Sequence, residues 1–216
     1  MIVLTVDQQG SRTRGDQVEP LLRDLTTGPA ARATRHGVVR PFERTVGDEV
    51  QAVLDDAAAA VDLALYLVRR GGWTVGIGAG PVDEPLPATA RAGVGEAFVL
   101  ARDAVERGKS RLRPVPLAVS GADAERATEC EALLTVVGAI MARRTPAGWA
   151  VIDAMDELGP EVTQEDLAHR LGISQQAVSQ RLRTALWAEE VAVRPLAARL
   201  LAEADGASQD RTEGET

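Results

Sequence analysis

The apolar positions of this chain change their period several times. Ile2, Val3, Leu4 and Val6 form a nearly unbroken β-branched run that ends at Asp7 and predicts a buried central strand. Residues 7–12 read as a polar loop beyond it. Val18, Leu21, Leu22 and Leu25 recur at helical spacing, and Thr26-Thr27-Gly28-Pro29 breaks the stripe. Residues 29–37 read as a loop and 38–45 as a strand, with Pro41 placing it toward a sheet edge. Val46-Gly47-Asp48-Glu49 is a tight turn, and Val50, Val53 and Leu54 belong to the returning strand. Asp55 or Asp56 caps a helix over 57–70, with Val61, Leu65 and Val68 inward and Gly71-Gly72 as its stop. In the strand 73–80, Gly76, Gly78 and Gly80 alternate with Val75, Ile77 and Ala79. One face of that strand carries no side chains, so something must approach its backbone closely.

The order so far is β-α-β-β-α-β, the ferredoxin-like arrangement, with helices expected on one face of the sheet. After a loop at 81–92, a helix runs from Gly93-Val94-Gly95 to about Gly108, with Ala97, Leu100, Ala101, Ala104 and Val105 inward. Residues 114–119 form a short fifth strand at an edge. From Ser120-Gly121 onward the pattern is helical: a long helix over 122–143, another over 147–158 capped at Thr145-Pro146, and a last one over 196–204 started by Pro195. The fold class is α+β. A ferredoxin-like domain over 1–120 is followed by an all-α domain over 121–204 and a disordered acidic tail over 205–216.

Residues 163–183 carry the most specific pattern. Thr163 and Asp166 have capping-box spacing, and Leu167, Ala168 and Leu171 share one face. Gly172 stops the helix, Ile173 packs the turn, and Ser174 caps the next helix. Ala177, Val178, Leu182 and Leu186 then face inward. Gln175, Gln176, Ser179, Gln180 and Arg183 face outward, with side chains suited to base edges and phosphates. The stretch resembles the helix-turn-helix of many bacterial transcription regulators. That resemblance implies double-stranded DNA as partner, a homodimer on a two-fold site, and Thr163, Ser174, Gln175, Gln176, Ser179, Gln180 and Arg183 as the DNA-facing set.

The net charge of −8 argues against indiscriminate nucleic-acid binding. Residues 1–119 hold 15 Lys/Arg and 15 Asp/Glu, residues 120–202 hold 8 against 12, and residues 203–216 hold 1 against 5. Arg170, Arg181, Arg183, Arg194 and Arg199 outnumber Glu189 and Glu190 near the second helix, so the reading head is expected to be locally basic. The single cysteine, Cys130, excludes an intramolecular disulfide and suits a reducing cytoplasm. No apolar run reaches the length of a membrane span, so no membrane partner is expected.

A second constellation lies in the first half. Asp7 ends the first strand, and Asp48 and Glu49 sit in the hairpin beside it, so the three carboxylates are expected to meet at one end of the sheet. The segments Val6-Asp7-Gln8-Gln9-Gly10-Ser11-Arg12, Val46-Gly47-Asp48-Glu49-Val50-Gln51, Val75-Gly76-Ile77-Gly78-Ala79-Gly80 and Ala97-Phe98-Val99-Leu100-Ala101-Arg102-Asp103-Ala104 resemble the SatD family of bacterial proteins. They are more distantly similar to the palm-like domains of class III nucleotidyl cyclases and GGDEF-type diguanylate cyclases. That resemblance implies metal binding at Asp7 and Asp48, Mg²⁺ with a nucleotide as the candidate cofactor, and a ligand site at Gly47, Asp48, Glu49, Arg102 and Lys109. Val46 stands where the cyclase turn has its first glycine, and the Asp7 loop lacks the phosphate-cradling pattern, so the fold is the firmer part of the inheritance.

Together these features predict a DNA-binding transcriptional regulator with a ligand-sensing or oligomerisation domain. A Mg²⁺-dependent nucleotidyl cyclase or nucleotidyltransferase is the alternative. His36 and His169 lack metal-ligand company, and Gly76-x-Gly78-x-Gly80 lies inside a strand rather than at a helix start, so neither indicates a site.

Overall fold

The computed structural model describes residues 1–27 and 36–206. The loop expected at 29–37 therefore lies mostly outside the described residues, as does the expected acidic tail beyond Gly206. The described chain is α+β, with a five-stranded sheet followed by a helical region.

The sheet has the order β2-β3-β1-β4-β5. β1 (Ile2–Gln8) runs through its centre, antiparallel to both β3 (Glu49–Leu54) and β4 (Trp73–Ala79). β2 (Val38–Arg44) is one edge, where Pro41 costs no central ladder bond. β5 (Leu117–Gly121) lies parallel to β4 and is the other edge. Within this register Thr5 faces Gln51 and Gly76, and Asp7 faces Glu49 and Thr74.

Among the described residues, α1 (Ser11–Arg14), α2 (Val18–Thr27), α3 (Ala57–Arg70) and α4 (Glu96–Gly108) accompany the sheet. The short α1 falls in a stretch that reads as loop from its polarity. Asp56 is the α3 cap, accepting from the Ala58 and Ala59 amides at 2.7 and 3.3 Å. α4 is what approaches the bare face of β4. A Cβ on Gly76 would collide with backbone atoms of Ala101 and Val105, and one on Gly78 with those of Ala97 and Ala101. Leu4, Val6, Val75 and Ile77 alternate with the α4-facing positions and are fully buried on the opposite face. The expectation of helices on one face is thus corrected, because two side-chain-free positions let a further helix settle on the other.

The helical region contains α5 (Ala124–Met141), α6 (Pro146–Leu158), α7 (Gln164–Leu171), α8 (Gln175–Thr184) and α9 (Trp187–Glu203). α9 begins nine residues before the expected start at 196, with Pro195 inside it. Ala197, Leu200 and Leu201 beyond the proline and Glu190 before it are buried, so tertiary context overrides the breaker signal.

The chain divides into two compact units: Met1–Gly138 with Arg194–Thr216, and Ala139–Val193. The sequence change at Gly121 falls inside the first unit, and α5 and α9 each begin in one unit and end in the other. The returning segment is integral to the first unit. Met1 amino and Asp205 Oδ2 are 2.6 Å apart, the Asp123 amide donates to Ala204 O at 3.1 Å, and Cys130 Sγ donates to Ala197 O at 3.5 Å. Burial pushes the Cys130 thiol up to about 12, so it stays protonated and inert. At the edge strand, Glu131 accepts from the Val119 amide at 2.8 Å, from Arg113 at 2.7 Å and from Arg107 at 2.9 Å.

Candidate nucleic-acid interface and acidic cluster

In the second unit, α7 and α8 have the geometry expected from their caps. Thr163 Oγ1 accepts from the Asp166 amide at 3.2 Å, and Asp166 Oδ2 accepts from the Thr163 amide at 3.0 Å, closing a capping box. These bonds to Thr163 hold the Asp166 carboxyl below its usual value. Gly172 ends α7 with φ of +63°, and Ser174 Oγ accepts from the Ala177 amide at 3.2 Å to start α8. Val151, Ala154, Leu167 and Val178 form the buried core, with Leu171, Ile173 and Leu182 packed on it. Leu186 does not join them. α8 ends at Thr184, and Leu186 lies past it in a left-handed conformation, 40 % exposed.

Gln175, Gln176, Gln180 and Arg183 are exposed along α8, and Ser179 is half-buried. The exposed Thr163 and Ser174 already use their hydroxyls as caps, so their first role is to hold the two helices. Arg183 Nη1 lies 3.4 Å from Gln180 Oε1, a weak contact that leaves the guanidinium free to reorient. Arg143, Arg181 and Arg183 have no carboxylate partner among the described residues.

The local charge differs from the expectation. The second unit contains five Arg and eight Asp/Glu. Arg194 and Arg199 belong to the first unit, where they pair with Asp62 at 3.0 Å and Glu203 at 3.8 Å. Arg170 is paired with Glu157 at 3.0 Å. Counting along the sequence grouped these arginines with α8, and the fold does not.

A cluster that sequence reading passed over anchors this unit. Arg144 is almost wholly buried, pairs with Glu190 and donates from Nε to Ala185 O at 2.8 Å. Its guanidinium lies 4.8 Å from the Trp149 ring centroid and 5.7 Å from that of Trp187. The only hint in the sequence is that two of the chain's three tryptophans fall in this short span.

Residues 143–187 match the family model for region 4 of sigma-70. The match runs from the arginine pair through α6, α7 and α8 and stays within the second unit, so this unit carries a bacterial-type helix-turn-helix of DNA-binding kind. Comparison of the chain with curated proteins and with solved structures finds no match. No helix among the described residues is long and apolar enough to cross a membrane.

In the first unit, strand register brings Asp7 and Glu49 side by side, and Asp48 O accepts from the Gln8 amide at 3.2 Å. Both cations of the implied ligand site, Arg102 on α4 and Lys109 at its C-cap, reach this corner. Lys109 Nζ lies 3.2 Å from Asp7 Oδ2, and Arg102 Nη2 lies 3.6 Å from Glu49 Oε1. Thr45 Oγ1 donates to the same Glu49 oxygen at 2.6 Å, and Gly47 sits in the turn with φ of +64°. Burial, with smaller contributions from Asp48 and Glu49, raises the Asp7 carboxyl above its usual value despite Lys109. Against the pull of burial, the Glu106 and Asp7 carboxylates raise Lys109.

This donor set fits a divalent cation only if Lys109 leaves Asp7, because the ammonium already occupies the position a metal would take on Oδ2. Among the described residues no group of three or more His, Cys, Asp or Glu side chains is arranged to hold a metal ion. As it stands, the cluster is an ion-pair network at the mouth of the sheet.

Proposed function

We propose that this protein is a DNA-binding transcriptional regulator that reads its operator with α8 and carries a ligand-sensing or oligomerising first unit. One observation carries the reading: α8 presents Gln175, Gln176, Gln180 and Arg183 to solvent from a capped, packed helix-turn-helix inside a segment similar to sigma-70 region 4. Amide and guanidinium groups on one helix face are the chemistry that reads adenine and guanine edges in the major groove. With five Arg against eight acids, one copy has little general attraction for DNA, which favours a homodimer on two half-sites.

For the first unit, the strand order β2-β3-β1-β4 and the meeting of Asp7 with Glu49 support a ferredoxin-like, SatD-like assignment. Selection of the full chain against a random duplex library, with and without nucleotides, tests both halves. An enriched, two-fold-symmetric site is the expected outcome, and failure to enrich any sequence refutes the DNA reading. Light scattering of the free protein tests the dimer.

The convergence of Asp7, Asp48, Glu49, Arg102 and Lys109 on one corner favours catalysis on nucleotides as the second reading. Pyrophosphate release from any of the four triphosphates with Mg²⁺ or Mn²⁺ would support it. Lys109 held on Asp7 makes it the weaker of the two.

A further inference from the structure

Three exposed valines of the first unit converge on one concavity. Val46 is 80 % exposed, Val94 55 % and Val99 61 %. All three line a pocket of about 560 Å³ between the β2–β3 hairpin and the start of α4, a volume in the range of small-ligand sites. Single exposed valines are ordinary, but three on one wall form an apolar patch that water covers at a cost.

The walls are held in place without a ligand. The Arg91 amide donates to Glu43 Oε1 at 2.7 Å, the Asp83 amide to Val94 O at 3.0 Å, and the Ala97 amide to Pro81 O at 3.0 Å. Gly93 lies under the Phe98 ring so closely that a Cβ would not fit. Such preorganisation lowers the ordering cost of binding.

The polar groups select by charge. Thr45 Oγ1 is used on Glu49, and Gln51 Nε2 donates to Thr5 Oγ1 at 2.9 Å. That leaves Arg91, whose side chain has no partner among the described residues, and Arg102, whose side chain is 64 % exposed and makes only the 3.6 Å contact to Glu49. Asp103 is the one acid in the lining, and Glu43 on the Arg91 amide and Glu49 beside Arg102 border it, so the two arginines leave room for no more than one added negative charge. Phe98 is only 9 % exposed and gives a nucleobase no face to stack on.

We infer that this pocket binds a small amphipathic monoanion, with its apolar body against Val46, Val94 and Val99 and its acid group on Arg91 and Arg102. The inference deepens the sensing half of the proposed function and rests on that half alone.

The test is an amide-resolved NMR titration of the full chain, without DNA, using naphthalene-1-sulfonate. Separate arms use naphthalene-2-methanol, inorganic phosphate and leucine. The sulfonate is expected to shift amides in the stretches 45–46, 91–95 and 98–103. A variant carrying Arg91→Ala and Arg102→Ala should bind it about tenfold more weakly, and Val99→Asp should abolish binding, with amides elsewhere unmoved as the control for folding. Asp7→Asn should leave the titration unchanged, which separates this pocket from the acidic cluster. The inference is overturned if the sulfonate shifts none of these amides, if the alcohol or phosphate binds as tightly, if leucine binds more tightly, or if Asp7→Asn removes the response. DNA selection can fail without affecting any of these outcomes.

Discussion

Lys109 is the only lysine in the chain, and it stands between Asp7 and Glu106 at the end of α4. Among the described residues, the half-buried carboxylates of Asp7 and Glu131 are shifted in opposite senses. Burial raises Asp7 above its usual 3.8, so the fold favours its protonated form. The stability Asp7 contributes is complete below that value and is lost as pH rises through the folded one. Asp7→Asn is therefore expected to raise the urea midpoint at about pH 7, with the gain shrinking toward acid pH. Burial also pushes Glu131 upward, but the Val119 amide, Arg113 and Arg107 outweigh it and hold the carboxyl below its usual 4.5. Its contribution is complete above 4.5 and is lost as pH falls through the lower folded value. Glu131→Gln should cost about 2 kcal/mol at neutral pH, because three donors lose a charged acceptor. Paired denaturation profiles of the two variants check both signs. Asp7 was visible in the sequence as a lone acid closing an apolar run. Glu131 was not, since nothing in a helical repeat indicates that one of its acids will cap a distant edge strand.

At the level of the element, the reading role proposed for α8 is separable from folding. Arg183→Ala and Gln176→Ala should each weaken binding to the selected operator by about 1–3 kcal/mol and leave the melting temperature unchanged, since both side chains are exposed. Arg144→Ala should behave in the opposite way. It removes a buried guanidinium from Glu190, which is 1 % exposed, and is expected to cost about 3–5 kcal/mol of stability. Operator titrations beside thermal melts of the three variants distinguish the two classes. The caps of α7 and α8 were legible because Thr163, Asp166, Gly172 and Ser174 act within one turn of their own position. The partner of Gly76 and Gly78 was legible only as a requirement for close approach. That it is a helix, on the face expected to be open, depends on residues some twenty positions on along the chain.

Over the whole molecule, charge is where linear reading went furthest astray. Arg194 and Arg199 are near α8 in sequence but fold into the other unit, leaving Arg143, Arg181 and Arg183 as the arginines without acidic partners in the second. The logarithm of operator affinity should then fall with the logarithm of salt with a slope of about −3 per bound copy. Anisotropy titrations across a salt series measure it, and a slope twice as steep would mean that another basic surface takes part. The unit division was equally hard to read, since composition changes at Gly121 while packing changes only at Gly138. Truncation after Val193 should lower the melting temperature of the first unit, because it removes the buried Leu201 and Ala204 and the carboxylate on the Met1 amino group. That closing contact also sets an order of events during synthesis. Residues from both sides of the helix-turn-helix build the sheet unit, so that unit is begun before the second unit and completed after it. The helix-turn-helix is synthesised in full before then. A single protease nick in the 159–163 loop would likewise leave two fragments that both contribute to the sheet unit, so the cut chain should migrate as one particle until it is denatured.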